Sequence, residues 1–302
     1  MPTITECLQI TRPVPFADVE LDRDNGLYLD PHALRLSRMP EPFRTQAVAA
    51  IDTFLNEVVT CLLSASRNDH ARGLALLQQF VEPWETRLGM AAVGFRGHGG
   101  ASDVGRWIWE AFQSDLRPLF RVGMMRHLED LPLFIEGIDR DRTSDITTRL
   151  AFDALIQFTT DVVANFDEFR TGVGQIGKFR RQIWDIDQLE WSIREVELPM
   201  ANGEPIVLVP NNWARSTLLM SADRFYGTSV LTFAQLERAA ILDGKLVTTP
   251  KRVLRTDSTL ARGRATNLAV TQRALRADED LVATFKSFVD SRWAESESAK
   301  AA

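Results

Sequence analysis

Cysteine is scarce in this chain: two residues, Cys7 and Cys61, among 302. No disulfide framework and no zinc-ligand spacing can be built from a pair so placed, and a reducing, cytoplasmic compartment fits best. Long apolar stretches are also missing. No basic-then-apolar signal opens the chain, and no uninterrupted apolar run approaches the roughly 18 to 20 residues of a membrane span, so neither secretion nor membrane insertion is expected. Excess positive charge is absent, since the formal charge is -6 and the pI near 5.4. That balance excludes a protein coated in positive potential, though not a local basic patch. There is no Gly-x-Ser-x-Gly elbow, no Cys/His pair and no His-Glu-x-x-His, which argues against hydrolase triads and zinc peptidases. Internal repeats are lacking, and no linker is rich enough in Pro, Gly or Ser to force a domain boundary.

What remains is a globular composition, 45% hydrophobic and 25% charged, sufficient for one large domain or two modest ones. The spacing predicts an α+β protein, predominantly helical, with a small mixed or antiparallel sheet. Residues 1–40 read as an extended arm, because Pro13, Pro15, Pro31 and Pro40 are interleaved with Asp18, Glu20, Asp22, Asp24 and Asp30. Segments 16–21 and 27–29 are expected to pair as a hairpin around Asp24-Asn-Gly26. Residues 41–215 read as an α/β core. Val48, Ile51, Phe54, Leu55, Val58, Val59, Leu62 and Leu63 recur at three and four, which predicts a helix ending near 64–68. Further helices are expected over 71–80, over 103–116 with Ser102 as N-cap, and over 146–166 with Thr143 or Ser144 as cap. Residues 196–199 and 205–210 should form a hairpin about Asn202-Gly203. Residues 216–302 read as a helical C-terminal region, either separate from the core or continuous with it, with helices over 212–222 and 233–242, a short strand near 246–248 and a frayed tail from Ala294.

The stretch 133–148 organises the candidate chemistry. An apolar run, expected to be a strand, empties into a turn with Asp139, Asp141 and Asp145, preceded by Glu136. Oxygen-only ligand sets of this kind suit Mg2+ or Mn2+, which activate water and neutralise phosphate charge. The plainer alternative is that these acids cap a helix or pair with Arg140 and Arg142. Glu82 and Glu85, three apart, share one helical face and would complete a metal set of Glu82, Glu85, Asp141 and Asp145, with Asp141, Asp145 and Glu85 as the catalytic candidates; equally, they complement a helix N-terminus. Arg96, Gly97, Gly99, Gly100 and Ser102 form a glycine-rich entry into a helix, an arrangement that offers backbone N–H groups to a phosphate. It is neither a P-loop nor a dinucleotide fingerprint, and a flexible turn explains it nearly as well. His98 within it is a candidate proton carrier or simply solvated.

Between residues 245 and 276, Lys245, Lys251, Arg252, Arg255, Arg262, Arg264, Arg273 and Arg276 stand against Asp257 alone. In an acidic protein that segregation marks a candidate nucleic-acid face, for which Lys251, Arg252, Arg255, Arg262, Arg264 and Arg273 are the chosen contacts. A solvated helical face or a docking surface for an acidic protein is the alternative. Trp84, Trp107, Trp109, Trp184, Trp191 and Trp213 lie among Leu, Ile and Val and read as core.

The order of Asp22-Arg-Asp24-Asn-Gly-Leu-Tyr-Leu-Asp30-Pro31, Glu82-Pro-Trp-Glu85-Thr-Arg-Leu-Gly89, the glycine loop, Glu136-Gly-Ile-Asp-Arg-Asp141-Arg-Thr-Ser-Asp145-Ile-Thr-Thr148, Leu198-Pro199 and Ile206-Val-Leu-Val-Pro210 resembles an uncharacterised (hypothetical) bacterial protein family associated with mobile and anti-phage defence loci. The resemblance spans most of 16–215 and brings no activity with it. It implies a lysine after the Leu-Val-Pro segment, where this chain has Asn211; if that lysine completes an acid-acid-lysine nuclease site, this member is impaired or differently wired, with Lys178 or Lys245 as substitutes that nothing in the spacing supports. Three expectations follow: a metal-dependent nuclease of a defence system acting on DNA or RNA, with a protein partner encoded nearby; a non-enzymatic nucleic-acid- or protein-binding subunit; or a nucleotide-binding or nucleotide-cleaving domain that uses the glycine loop.

Overall fold

The structure, a computed structural model, describes residues 2–89, 99–171 and 173–301, with side chains described except at 99–102, 300 and 301. It is 54% helical and 14% strand with small antiparallel sheets, which makes it an α+β, mainly helical fold. Numbered in chain order, the helices are α1 (Ile4–Leu8), α2 (Pro31–Leu36), α3 (Phe43–Leu63), α4 (Arg67–Gln78), α5 (Gly99–Gln113), α6 (Arg117–Arg121), α7 (Arg140–Leu150), α8 (Phe152–Asn165), α9 (Ala222–Phe225), α10 (Leu231–Glu237), α11 (Lys251–Leu254), α12 (Arg264–Arg276) and α13 (Leu281–Ala301). The strands are β1 (Tyr28–Leu29), β2 (Gln175–Asp185), β3 (Glu190–Ala201), β4 (Glu204–Pro205), β5 (Ala214–Arg215), β6 (Ala240–Leu242) and β7 (Lys245–Val247). Two compact units result: Met1–Gln113 with Arg140–Leu218, and Ser114–Asp139 with Leu219–Ala302. The second takes a short piece from mid-chain, which no change of composition announces.

In the first unit α3 is the core helix. Its apolar spacing buries Ala47, Ala50, Ile51, Phe54, Leu55, Val58, Cys61 and Leu62. By length and composition α3 is long and apolar enough to cross a membrane, although polar residues interrupt its apolar positions. Its buried face accounts for that apolarity, and Asp52 on another side holds Arg35 through two bonds of 2.7 and 2.9 Å. The long hairpin of β2 and β3 sets Trp184 opposite Trp191. Phe54 meets both rings and Phe80 at 5.0 to 5.6 Å, the offset and edge-on geometry aromatic quadrupoles favour. Trp184 Nε1 donates to Thr53 Oγ1 and Trp191 Nε1 to Leu76 O; Trp184 is core, as its apolar neighbours implied, while Trp191 is partly exposed.

Several local expectations change. The N-terminal 16–21 segment does not pair with 27–29: β1 joins β5 instead, while Phe16 bridges to Pro210. Phe16, Val19 and Leu21 are buried, so the arm is held by its apolar side chains and not by a hairpin ladder. Residues 206–209 are wholly buried yet form no strand; Val207 N donates to Glu85 O, Leu208 N to the Thr159 hydroxyl, and Val209 O accepts from Ala17 N. A run with partners on different elements satisfies its backbone without a ladder. The expected helix over 212–222 is replaced by β5 and a turn, and 240–242 leave the expected helix to form β6. The expected single helix over 146–166 is two, α7 and α8, separated at Ala151, with Thr143 and Ser144 inside α7 rather than capping it. Ser102 likewise lies within α5, which begins at Gly99, and the tail from Ala294 continues α13.

The apolar run 133–138 is not a strand. It follows a short 3-10 helix, Leu128–Leu133, that contains Pro132, and turns at Gly137, whose φ of 72° suits a residue without Cβ. Leu133, Phe134, Ile135 and Ile138 are all buried in the second unit. There Phe225, fully buried, packs between Phe134 and Phe285 at 5.6 and 5.3 Å. From α9 the helix passes through a π-helical segment, Tyr226–Val230, into α10. Lys251 Nζ donates to Gly227 O at 2.8 Å, satisfying a carbonyl of the widened turn.

Candidate functional site

Glu85 sits in a single 3-10 turn, Trp84–Thr86, ended by Arg87 at a φ of 57°. Its carboxylate is only 2% exposed. Arg181 Nε, from β2, stands 2.5 Å from one oxygen, and an Arg149 nitrogen, from α7, stands 3.8 Å from the other. Arg149 is 1% exposed and donates to Val81 O, Glu82 O and Gln182 O at 2.6, 3.1 and 3.2 Å. Its guanidinium also lies 4.2 Å from the centre of the Phe152 ring. Burial pushes the Arg149 pKa down to about 10, while the charge of Glu85 opposes that drop, so the group stays protonated at neutral pH. Glu85 is thus the buried counter-charge of two arginines, an arrangement that does not suit the catalytic and metal roles expected of it. A carboxylate set between two guanidiniums is a poor cation ligand, because a divalent ion would have to displace or repel them.

Glu82 and Asp141, 59 positions apart in the chain, come close enough for the charge of one to act on the other. Desolvation, and then the charge of Asp141, raise the Glu82 carboxyl above its ordinary value. Asp141, in the first turn of α7, reaches Gly89 so closely that a Cβ at that position would stand 3.2 Å from its Oδ1. Asp145 follows one turn later, and its charge acts on Arg149, one further turn along the same helix face. Trp84, 38% exposed, carries the guanidiniums of Arg87 and Arg181 at 4.9 and 5.9 Å from its ring centre. Among the described residues, no group of three or more His, Cys, Asp or Glu side chains is placed to hold a metal. The pair Glu82 and Asp141 is what the structure leaves of the expected set of four.

Arg96, Gly97 and His98 of the expected phosphate loop lie outside the described residues; Gly99 and Gly100 open α5, and the side chain of Ser102 is likewise outside them. The expected nucleic-acid residues divide. Arg264 donates to Pro132 O, Ile138 O and Glu136, so it fastens the 132–138 turn rather than facing a ligand. Arg273 is bound twice by Glu237, Arg262 pairs with Asp223, and Lys251 is turned to backbone carbonyls. Arg252 and Arg255 are exposed and, among the described residues, carry no ion pair. Asn211, where the resemblance implied lysine, is tied to the arm through Nδ2 to Val14 O. Lys178 faces Glu195 and Glu197 across the hairpin at 3.7 and 4.0 Å. The buried Cys61 thiol is pushed up to about 11 by desolvation and Glu57, which removes it as a nucleophile.

The residues that sequence reasoning missed are the arginines. Arg149 sits in a run of threonines and leucine now seen to be buried, and an arginine at such a position requires a buried acid; that was the available signal.

These features define a mainly helical α+β protein in two units whose first unit pairs two carboxylates beside a buried arginine cluster. The chain belongs to the family described as a domain of unknown function, DUF8370, which matches residues 9–221. No curated protein and no solved structure matches it.

Proposed function

We propose that the protein is a Mg2+- or Mn2+-dependent phosphodiesterase, a nuclease acting in bacterial anti-phage defence in the cytoplasm beside a protein partner. The observation that carries this reading is the approach of Asp141 to Glu82, a carboxylate raised above its ordinary value by desolvation first and by the charge of Asp141 second. A divalent cation between them relieves their repulsion. Mg2+ commonly takes one or two carboxylates and completes its shell with water and substrate phosphate, so a pair suffices. The metal would polarise the phosphate and supply the attacking water. Arg252 and Arg255 would add non-specific affinity for the nucleic-acid backbone. The order of segments in 16–215 supports the defence setting.

A second reading, a non-enzymatic nucleic-acid- or protein-binding subunit, is favoured by the engagement of Glu85 with Arg149 and Arg181. Incubation of DNA and RNA with the protein in Mg2+ or Mn2+ separates the two. The nuclease reading expects metal-dependent cleavage that Asp141→Asn and Glu82→Gln abolish while the circular dichroism melt is retained. Absence of cleavage on every substrate, with salt-sensitive binding that Arg252→Ala and Arg255→Ala weaken, favours the second.

A further inference from the structure

The second unit contains a surface cavity that the proposed chemistry does not use. Its volume is about 240 Å³, and Glu136, Asp223, Tyr226, Arg262, Arg264 and Asn267 contribute its walls. Asn267, in the first turn of α12, is 1% exposed. Its Nδ2 donates to Leu133 O at 3.0 Å and to Ala222 O at 3.2 Å. Two carbonyl partners fix the orientation of the amide, since the reverse assignment would set oxygen against oxygen. The remaining atom, Oδ1, is buried and has no hydrogen-bond partner. A buried acceptor at a cavity wall calls for a donor from whatever fills the cavity.

A second cavity of about 290 Å³ adjoins the first and shares Asp223, Tyr226 and Arg262 with it. Its further wall is Arg255, which has no acidic partner among the described residues. The π-helical segment places Gly227 beside this arginine, where an added Cβ would stand 3.9 Å from the guanidinium, and so keeps the approach open. Arg262 is paired with Asp223, but both side chains are about two-thirds exposed, at 63% and 65%. An exposed pair exchanges partners at little cost. Arg264 is already committed to carbonyls and shapes the wall only. One end of the double cavity therefore wants a hydrogen-bond donor and the other an anion, and either cavity alone, at about 240 and 290 Å³, is larger than a free phosphate fills.

We propose that this double cavity binds a nucleoside monophosphate, with an exocyclic amino group of the base donating to Asn267 Oδ1 and the phosphate held by Arg255 and Arg262. The site lies within the second unit and stands independently of the Glu82 and Asp141 reading. Calorimetric titration of the full chain in EDTA, which removes any divalent-metal contribution, tests it with AMP, ribose 5-phosphate, adenosine and inorganic phosphate as probes. AMP is expected to bind about ten-fold tighter than ribose 5-phosphate, and Arg255→Ala to weaken AMP about ten-fold while leaving adenosine unchanged, the size expected for one charge-assisted hydrogen bond. Because Asn267 also holds two carbonyls, its replacement threatens the fold, and the base end is read by changing the ligand. Equal affinity for AMP and ribose 5-phosphate, no binding of AMP, or AMP binding indifferent to Arg255→Ala would overturn the proposal.

Discussion

The two units use arginine in opposite surroundings. In the first, Arg149 is sealed among Val81, Gln182 and Phe152, and its charge is tolerable only because Glu85 is buried with it. In the second, Arg273 and Glu237 meet in good bidentate geometry but remain about one-third exposed. Geometry alone would rank the second pair higher. Burial reverses the ranking for the effect of removing one partner: water replaces a lost surface ion, whereas a stranded interior charge has nothing to replace its counter-ion. The same distinction separates the acids: Glu85 is buried and neutralised and serves the fold, whereas Glu82 and Asp141 lie at the surface.

The comparison breaks first at Glu85. Glu85→Ala strands Arg149 and should cost about 3–5 kcal/mol in urea unfolding; a loss below 1 kcal/mol would mean that the arginine finds water. Arg264 is an intermediate case, 20% exposed with two carbonyl acceptors and Glu136. Arg264→Ala is expected to cost about 1–3 kcal/mol, because Pro132 O and Ile138 O lose their donor. Arg273→Ala should cost less than about 1 kcal/mol, and less still in high salt. The smallest effect concerns pH. Glu82 binds its proton more tightly in the folded protein than in the unfolded chain, so its ionisation weakens the fold: that penalty is absent below the ordinary value of 4.5 and grows as pH rises above it. Glu82→Gln should therefore gain on the wild type between pH 4.5 and 7 and not at pH 4, as melting across that range would show.

Helical periodicity was legible where one face is buried against a single core: α3 follows its spacing of three and four almost residue for residue. It failed where burial was complete. Residues 133–135 and 206–209 are buried without a break, and such runs carry no period to separate a strand from a turn or a threaded coil. At the site, Glu82 and Asp141 were legible because acids near helix starts are a short inventory. The fate of Glu85 was not, since the two arginines that neutralise it come from residues 64 and 96 positions further on. Basic clustering in 245–276 was real in sequence, yet pairing is a property of space: Arg264 turns inward to carbonyls while Arg255 stays open.

Manganese binding followed by electron paramagnetic resonance is the most direct probe of the central claim, that Glu82 and Asp141 hold a cation while Glu85 holds the fold. The wild type should bind one Mn2+ that Mg2+ displaces, Asp141→Asn and Glu82→Gln should lose it without loss of melting temperature, and binding should fade as acid protonates Glu82. Binding that survives both substitutions, or none at all in the wild type, would contradict it.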